Sequence, residues 1–564
     1  MRWQITEPDP EALRNLLREL GLSPLLARLL VLRGMAQPQV AERFLKPSLD
    51  HLHDPFLMAD MRAAVDRLQR AIARNEKILI YGDYDVDGTM AVVVLQTALR
   101  ARGAHVDAHI PNRFGEGYGM QAAVMERAAA EGYRVVLSVD TGIREFEALA
   151  RGRELELDCI VTDHHLPGDE LPKACAILNP RRADCPYPEK SLSGVGVAFK
   201  LVQGLLGPSL APPQLQSYLK VACLGTIADV VPLVGENRVI ARFGLQGLSQ
   251  PSQAGLAALL EVSDLTGKPV TTGDVAFRLA PRINAAGRMQ DARAVIDLLT
   301  TADRSLARRI AEELNDLNYD RQKAEDQILQ EILAVVEKDP SRVERYSLVF
   351  AGEGWHRGVI GIVAQRVVER FYRPALVLGI EDGMAVGSGR SIRGFHLHDA
   401  LTSAADLFDR FGGHAQAAGF SLPASKLPEL ETRLEDYARR TLAPADLEPS
   451  LRIDSEVSLE EMDWKTYQDL RRLEPCGSGN PGPLFAAREV MLDAPPRIVK
   501  EKHLKLRVRQ GAAIFDAMGW KMAPLGAALR TGDRVDLAFQ LDANNYRGET
   551  NLQLILRDIQ PRRE

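Results

Sequence analysis

The 564-residue sequence predicts a multidomain α/β protein: a doubly wound parallel-sheet domain, a long connecting helix, a smaller α/β domain and a C-terminal β-barrel. Three observations carry this. From about residue 60 to 180, β-prone apolar runs alternate with helical patterns, the rhythm of a parallel sheet with helical crossovers. A single polar helical pattern runs unbroken from Ala302 to Glu337. After about residue 450 the apolar runs become short and are parted by Gly, Asp and Asn turns, as in a small closed barrel. Such a length exceeds one hydrophobic core, and about three or four domains are expected. The divisions read as a helical segment at 1–46, the main α/β domain at 47–300, the connecting helix at 301–342, the second α/β domain at 343–445 and the barrel at 446–564.

Bulk properties exclude several classes. The chain is 46% hydrophobic and 26% charged, ordinary for a globular protein. The net charge of -6 offers no global attraction to nucleic acid, so any basic surface must be local. The five cysteines, Cys159, Cys175, Cys185, Cys223 and Cys476, form no CxxC pair, which argues against a thiolate zinc site and a disulfide framework. No apolar run approaches 18 residues, and the N-terminus lacks a signal-peptide core. A cytoplasmic protein with no membrane contact is expected.

Taken in order, Pro10–Leu20 and Pro24–Leu32 carry apolar residues three and four apart, the spacing of amphipathic helices. Lys46 to Pro55 is a turn-rich connector, in which His51 and His53 read as surface loop residues. Helix Met61–Ala73 precedes a strand ending at Tyr81, followed by GDYDVDG and a helix through Met90–Leu99. Then come strand His105–Ile110, helix Gly119–Glu131, strand Val135–Val139, helix Arg144–Arg153, and strands Asp158–Val161 and Ala176–Leu178. Helices follow at Ser193–Leu206 and Gln214–Asp229. Residues 240–300 read as helical, interrupted by a loop at PRINAAGR, 281–288.

The polar Ala302–Glu337 helix reads as a spacer. Beyond it lie strand Ser347–Ala351, a glycine-punctuated helix in WHRGVIGIVAQRVVERF, a hairpin-like stretch from Ala375 to Ser391, a helix at Leu397–Phe408, the glycine-rich GGHAQAAG at 412–419, and a helix at Pro423–Leu442. Ser388, Arg390 and Ser391 then fall in one short loop. The barrel strands are Leu451–Ile453, Leu484–Ala487, Pro496–Val499, Leu504–Arg509, Ala512–Met518, Arg534–Gln540 and Leu552–Ile559. Arg497 to Arg509 holds six basic residues against one Glu. Alternation places Lys505, Arg507 and Arg509 on one strand face. That pattern fits a nucleic-acid face and equally an edge strand guarded against aggregation.

Chemistry concentrates at strand ends. Asp83, Asp85 and Asp87 lie between a strand and a helix, Asp140 ends LSVDTG, and Asp163, His164 and His165 end CIVTDHH. All three sites are the carboxyl ends of strands, where open α/β sheets bind ligands. Asp and Gly also make ordinary turns, so the first cluster alone decides nothing. Asp229, an acid within an apolar stretch, costs energy unless it is paired, bound to a metal or capping the next turn. Several like charges aimed at one crevice call for a cation. Oxygen-rich ligation with imidazole suits Mn²⁺ or Mg²⁺, and two ions about 4 Å apart can clamp the attacking and leaving oxygens of a phosphodiester. Arg282 and Arg288 flank small residues and could hold phosphates.

Together these motifs resemble the DHH phosphoesterase superfamily and, within it, the RecJ family of single-strand-specific exonucleases. The resemblance rests on GDYDVDG at 82–88, VDTG at 139–142, TDHH at 162–165, GTIADVVPL at 225–233, PRINAAGR at 281–288, WHRGVIG at 355–361, GSGRS at 387–391 and GGHAQAAG at 412–419. It implies a DHH domain, a DHHA1 domain and an OB-fold. It implies two divalent ions, Mn²⁺ or Mg²⁺: one on Asp85 and Asp140 with support from Asp83, the second on Asp87, Asp140, His164 and Asp229. His165 would face the scissile phosphate, making His164, His165 and Asp140 catalytic. Where other DHH branches place a histidine this chain has Tyr81, a poor ligand. Arg113, Arg282, Ser388, Arg390, Ser391 and His414 would contact substrate, with Ser388 and Arg390 in a pocket for the 5′-terminal phosphate. Lys502, Lys505, Arg507 and Arg509 would hold the strand on the barrel.

The implied activity is 5′→3′ hydrolysis of single-stranded DNA to nucleoside 5′-monophosphates, in recombination and repair. The implied partners are the single-strand binding protein and a RecQ-type helicase, and the protein is expected to be a monomer. Two rivals stand beside this reading: a phosphoesterase acting on small molecules such as dinucleotides, and a binding protein with an inactive DHH domain.

Overall fold

The computed structural model describes residues 1–112, 115–116, 119–546 and 548–562. The chain divides into two compact units, one formed by residues 3–283, 292–308 and 451–564, the other by 1–2, 284–291 and 309–450.

The first unit is built on five parallel strands: β1 (Lys77–Tyr81), β2 (His105–His109), β3 (Tyr133–Val139), β4 (Asp158–Thr162) and β5 (Ala176–Leu178), in the order β2-β1-β3-β4-β5. The central strands are apolar nearly throughout because both sheet faces are covered. Strand order reverses between β1 and β3. There the crossovers leave the sheet in opposite directions and open a crevice at the carboxyl ends. Helix α1 (Val86–Ala101) leaves that crevice. It is buried on almost every side, packed against α2 (Gly194–Leu206) and α3 (Pro212–Ala228).

Helix α4 (Gly235–Leu248) carries Arg238, a residue 2% exposed whose guanidinium pairs with no carboxylate among the described residues. Nε donates to Phe44 O (2.9 Å), Nη1 to Leu473 O (2.8 Å) and Pro475 O (3.2 Å), and Nη2 to Arg472 O (3.1 Å) and Glu474 O (2.8 Å). The guanidinium also lies 3.7 Å from the centre of the Phe44 ring. Burial lowers its pKa to about 10. One side chain thus joins the N-terminal helices, α4 and the segment leading into the barrel. In the connector, His51 Nδ1 accepts from Ser48 N and His53 O accepts from buried Lys200, so both histidines serve local structure.

In the second unit, β6 (Leu348–Glu353), β7 (Ala375–Glu381), β8 (Met384–Arg390), β9 (Arg410–Gly413) and β10 (Ala417–Pro423) form a sheet ordered β9-β10-β8-β7-β6, with β6 and β7 parallel and the rest antiparallel. The 35-residue helix α5 (Arg304–Lys338) is more than a spacer, since its Ile328 and Ile332 lie in the core of this unit. Helix α6 (Ile360–Phe371) packs on β7 and β8.

Several expectations fail here. PRINAAGR is helical, within Ala280–Met289, directly after a π-helical turn at Val275–Leu279. Pro281 falls where the hydrogen-bond register changes from π to α, so its missing N–H costs little. Ser388 and Arg390 lie on strand β8 rather than in a loop, and parts of GGHAQAAG are strands β9 and β10, because sheet pairing overrides the turn propensity of glycine. The helix expected at Leu397–Phe408 stops at Thr402 and continues as a 3₁₀ turn, Ala405–Leu407.

The barrel, part of the first unit, has five principal strands: β11 (Phe485–Leu492), β12 (His503–Gln510), β13 (Ala513–Gly519), β14 (Arg534–Tyr546) and β15 (Glu549–Pro561). Pairings β11–β12, β12–β13, β13–β15, β15–β14 and β14–β11 close it, with β13–β15 parallel. This is the connectivity of an OB-fold. Leu16, Leu26, Leu30 and Phe44 of the N-terminal helices share one core with Phe485, Leu506, Leu537 and Phe539 of the barrel.

Replacing Arg238 with Met keeps the apolar stem but removes all five of these hydrogen bonds, leaving, among the described residues, only Leu473 O and Pro475 O with a second donor, Asn480 Nδ2. We expect a loss of about 2–4 kcal/mol of stability, read as a lower urea midpoint, with less effect from the same change at exposed Arg14.

Candidate metal centre and substrate contacts

The turn after β1 delivers its acids to different tasks. Asp85 caps α1, its Oδ1 accepting from Gly88 N (3.0 Å). Asp83 Oδ1 accepts from Tyr84 N (2.7 Å). Asp87, in the first turn of α1, reaches the N-terminus of α2, where Oδ2 accepts from Gly194 N (2.5 Å) and Oδ1 from Val195 N (3.0 Å). A helix N-terminus stabilises a carboxylate. The approach is possible only beside glycine: a Cβ on Gly225 would lie 2.6 Å from Asp87 Oδ1, and one on Gly194 would lie 2.5 Å from Asp140 Oδ1.

Asp140 ends β3 in the left-handed region, φ +58°, a conformation costing a residue with a side chain about 1–3 kcal/mol. Its N–H donates to Thr162 O, which holds the strained residue against β4. Its side chain is buried, and Oδ1 accepts no hydrogen bond among the described residues. His164 Nε2 lies 3.1 Å from Asp140 Oδ1, 3.6 Å from Asp229 Oδ2 and 4.0 Å from Asp87 Oδ2. The potential ligand atoms fall into three groups, each within 4.8 Å: Asp83, Asp85 and Asp140; Asp87, His164 and Asp229; and Asp140, His164 and His165. Crowded oxygens, an orphaned carboxylate oxygen and adjacent imidazoles fit hard divalent cations.

Electrostatics says the same. Burial, then the charge of Asp85, pushes Asp87 up to about 7. Burial and the charges of Asp87 and Asp85 push Asp229 up to about 8, and Asp140 is raised for the same reasons. Burial lowers His164 to about 4, leaving a neutral imidazole able to bind metal. His165 behaves oppositely. Burial opposes its charge, but Asp163 Oδ1, 2.7 Å from Nδ1, outweighs that and raises it to about 9. Asp163 is itself held by Ile143 N and His165 N, and Asn179 Nδ2 donates to His165 O.

The structure therefore brings Asp83, Asp85, Asp87, Asp140, His164, His165 and Asp229 together. Tyr81 is not a ligand: its hydroxyl donates to Gly119 O and accepts from Gln121 N. Asp163, Gly194 and Gly225 went unassigned in the sequence. Asp163 was visible as the first letter of the DHH motif; the two glycines carried no signal without the packing. Arg282 spends two donors on main-chain carbonyls, Arg278 O and Val262 O. Arg113 lies outside the described residues.

In the second unit, Arg390 Nη1 donates to Ser388 Oγ (3.0 Å) and Gly389 O (2.8 Å). A Cβ on Gly361, in the first turn of α6, would lie 3.0 Å from Ser388 Oγ and 3.1 Å from Arg390 Nη2, so glycine keeps that space open. Ser391 instead turns inward to Phe395 O. His414 is exposed at the end of the β9–β10 hairpin, its N–H donating to Ala417 O. On the barrel, Lys505 pairs with Asp516 (2.8 Å), and Arg507 (3.4 Å) and Arg509 (2.7 Å) share Asp493.

A doubly wound sheet with this acid and histidine cluster at its switch point defines a metal-dependent phosphoesterase of the DHH type. Family models match at 77–226 (DHH family, N-terminal domain), 344–440 (DHHA1 domain) and 453–558 (RecJ OB domain). The chain belongs to the RecJ family of single-stranded-DNA-specific exonucleases. It is 38% identical to the RecJ of Bacillus subtilis over 561 residues, 99% of this chain and 70% of that relative, and 36% identical to that of Escherichia coli, covering 96% of each. Its fold matches the crystal structure of RecJ in complex with Mn²⁺ from Thermus thermophilus with a TM-score of 0.85 at 31% identity, over 100% of this chain and 80% of the other. The Mg²⁺ complex from the same organism matches at 0.79 and 30% identity, over 100% and 79%.

The raised carboxylates make metal binding a proton exchange. In the metal-free protein the folded state holds protons on Asp87 and Asp229 that the unfolded chain releases near pH 4. Their contribution to stability is therefore present at low pH and is lost as pH rises through about 7 and 8. Metal binding removes that penalty. The thermal midpoint of Mn²⁺-loaded protein minus that of chelated protein should grow between about pH 5 and 8 and then level off; a difference independent of pH would contradict the coupling.

Proposed function

We propose that this protein is a 5′→3′ exonuclease of single-stranded DNA that hydrolyses phosphodiesters with two divalent ions, Mn²⁺ or Mg²⁺, and releases nucleoside 5′-monophosphates in DNA recombination and repair. The observation that carries this is Asp140, strained, buried and with an orphaned oxygen between two groups of potential ligands. The names of its relatives and the Mn²⁺ and Mg²⁺ complexes of the Thermus protein support it.

In this reading Asp83, Asp85 and Asp140 hold one ion, and Asp87, Asp140, His164 and Asp229 the other. When bound, the ions supply water activation and charge neutralisation at the phosphodiester. The chain's own residues do the rest. The α2 N-terminus and the absent side chains at Gly194 and Gly225 hold Asp87 and Asp140 in place. Asp163 fixes the His165 ring through Nδ1 and keeps it protonated near neutral pH, so that Nε2 presents a donor to the phosphate or the departing oxygen. Ser388 and Arg390, beside the space kept open by Gly361, receive the 5′-terminal phosphate and set polarity. Arg113, Arg282 and His414 complete the strand contacts, while Ser391, its hydroxyl turned inward to Phe395 O, supports the turn after β8. The divisions at 47–300, 301–342, 343–445 and 446–564 serve as catalytic domain, connecting helix, substrate-binding domain and strand-holding barrel. A cytoplasmic monomer acting beside a single-strand binding protein and a RecQ-type helicase completes the reading. Among the described residues, no helix is long and apolar enough to cross a membrane.

The test compares a long 5′-labelled single strand with a dinucleotide in the presence of Mn²⁺. Release from the long strand is expected, and it should fall by more than about 100-fold in Asp140→Asn; cleavage of the dinucleotide alone would favour the small-molecule rival, and full activity of the variant would exclude the two-ion centre. Separately, Arg390→Ala should reduce the preference for a 5′-phosphorylated over a 5′-hydroxyl strand by about tenfold, measured as the ratio of kcat/KM values.

A further inference from the structure

The amino ends of the main sheet, opposite the metal centre, carry a second concentration of charge. Helix Met61–Ala73 ends there, next to the first residues of β1, β3 and β4. A recess of about 420 Å³ is lined by four arginines, Arg67, Arg70, Arg74 and Arg134, by Cys175 just before β5, and by three carboxylates. Arg134 and Asp140 are six residues apart along β3, about 20 Å at the rise of a strand, so the recess is remote from the catalytic crevice. Arg67 is 7% exposed. Its Nε donates to Asp158 Oδ2 (2.5 Å) and its Nη2 to Glu76 Oε2 (2.6 Å), which commits two of the carboxylates. Its Nη1 has no acceptor among the described residues. Arg70 and Arg134 are exposed and form no ion pair among the described residues, and Arg74 reaches Glu76 only at 3.9 Å. The third carboxylate, Glu156, is exposed.

Basic residues often close a helix, where they offset its dipole. That accounts for Arg70 and Arg74 but not for Arg134, which a separate strand brings to the same recess. Two uncommitted guanidinium forks and the free edge of a third, itself held rigid by Asp158 and Glu76, are suited to the oxygens of phosphate groups, which guanidinium binds bidentately. The volume is that of a small-molecule site and exceeds what one tetrahedral anion fills, since a water takes about 30 Å³. No aromatic ring lines it, so a nucleobase would find nothing to stack on. The chemistry recognised is therefore that of linked phosphates. We propose that this recess binds a small polyphosphate, either pyrophosphate or the phosphate arm of a nucleoside triphosphate, on Arg67 Nη1, Arg70 and Arg134, with Arg74 drawn in from Glu76. The site is independent of the metal centre and of the exonuclease reading.

Cys175 reports on the recess from within. It is exposed, whereas Cys159, Cys185 and Cys223 are buried and Cys476 is half-buried. The full chain is treated with iodoacetamide in chelator, and alkylation of each cysteine is followed by mass spectrometry. Pyrophosphate at about ten times its dissociation constant should slow alkylation of Cys175 about tenfold and leave Cys476 unchanged. Arg70→Gln with Arg134→Gln, two surface substitutions, should weaken that protection more than about tenfold. Arg70→Lys with Arg134→Lys, which keeps the charge but not the fork, should recover only part of it. Arg390→Ala should protect as the wild type does, which separates this recess from the phosphate contacts of the second unit. ATP in place of pyrophosphate distinguishes the two sources, since protection at a lower concentration of ATP names the nucleotide and at a lower concentration of pyrophosphate the free anion. No protection of the wild type, equal protection by sulfate, or protection that survives Arg70→Gln with Arg134→Gln would each overturn the assignment. Stronger protection by oligo(dT) than by either polyphosphate would overturn it in favour of a path for nucleic acid.

Discussion

The main sheet is organised around a repulsion. Asp83, Asp85, Asp87, Asp140 and Asp229 converge where water is largely excluded, and two of them rise to near-neutral pKa values as a result. Nothing in ordinary folding favours such a gathering. It persists because the backbone around it is over-determined: α1 starts on Asp85, the α2 N-terminus grips Asp87, and β4 holds Asp140 in a left-handed conformation. A divalent cation converts the same crowding from a cost into affinity, so the site is destabilised as built and complete only when charged with metal.

The two adjacent histidines show how position alone separates roles. His164 is buried among carboxylate oxygens, Nε2 3.1 Å from Asp140 Oδ1, and burial outweighs their pull and lowers its pKa. His165, one residue on, is paired through Nδ1 with Asp163, and its pKa rises. Neutral and protonated imidazoles side by side are what a site needs if one is to bind metal and the other to hold a proton. The anchoring of Asp163 by main-chain donors is thus as much a part of the centre as the ligands are.

Away from the sheet, polar side chains are used as fasteners. Arg238 joins three segments through five carbonyls, and the Arg321–Glu325–Arg366 cluster ties α5 to α6 within the second unit. On the barrel, Asp493 and Asp516 absorb the charge of a strand that reads in the sequence as strongly basic. Net charge along a strand is a poor guide to surface potential when the neighbouring strand and loop carry the counterions.

Much of this was legible from residue order alone. Helices Pro10–Leu20, Pro24–Leu32 and Met61–Ala73 and strand Ala176–Leu178 lie where the periodicity puts them. Those elements are set by local pattern, and so is the delivery of acids to strand ends, because the alternation of strand and helix fixes which end of each strand faces the crevice. What needed the tertiary structure was every property that depends on a distant neighbour. Gly194 and Gly225 matter because Asp140 and Asp87 pass where a methyl group would stand. PRINAAGR is helical because a π turn absorbs its proline, and Ser388 and Arg390 lie on a strand because β7 and β10 pair with it. Tyr81 is removed from the ligand set by Gly119 O, and Arg507 and Arg509 are neutralised by Asp493. The sequence by itself determined the elements and the chemical content of the centre, since both follow from local pattern and residue type. Only the fold decided which oxygen is left without a partner, which imidazole is charged and which basic groups remain free to attract a strand, since burial and pairing are set by residues far apart in the chain.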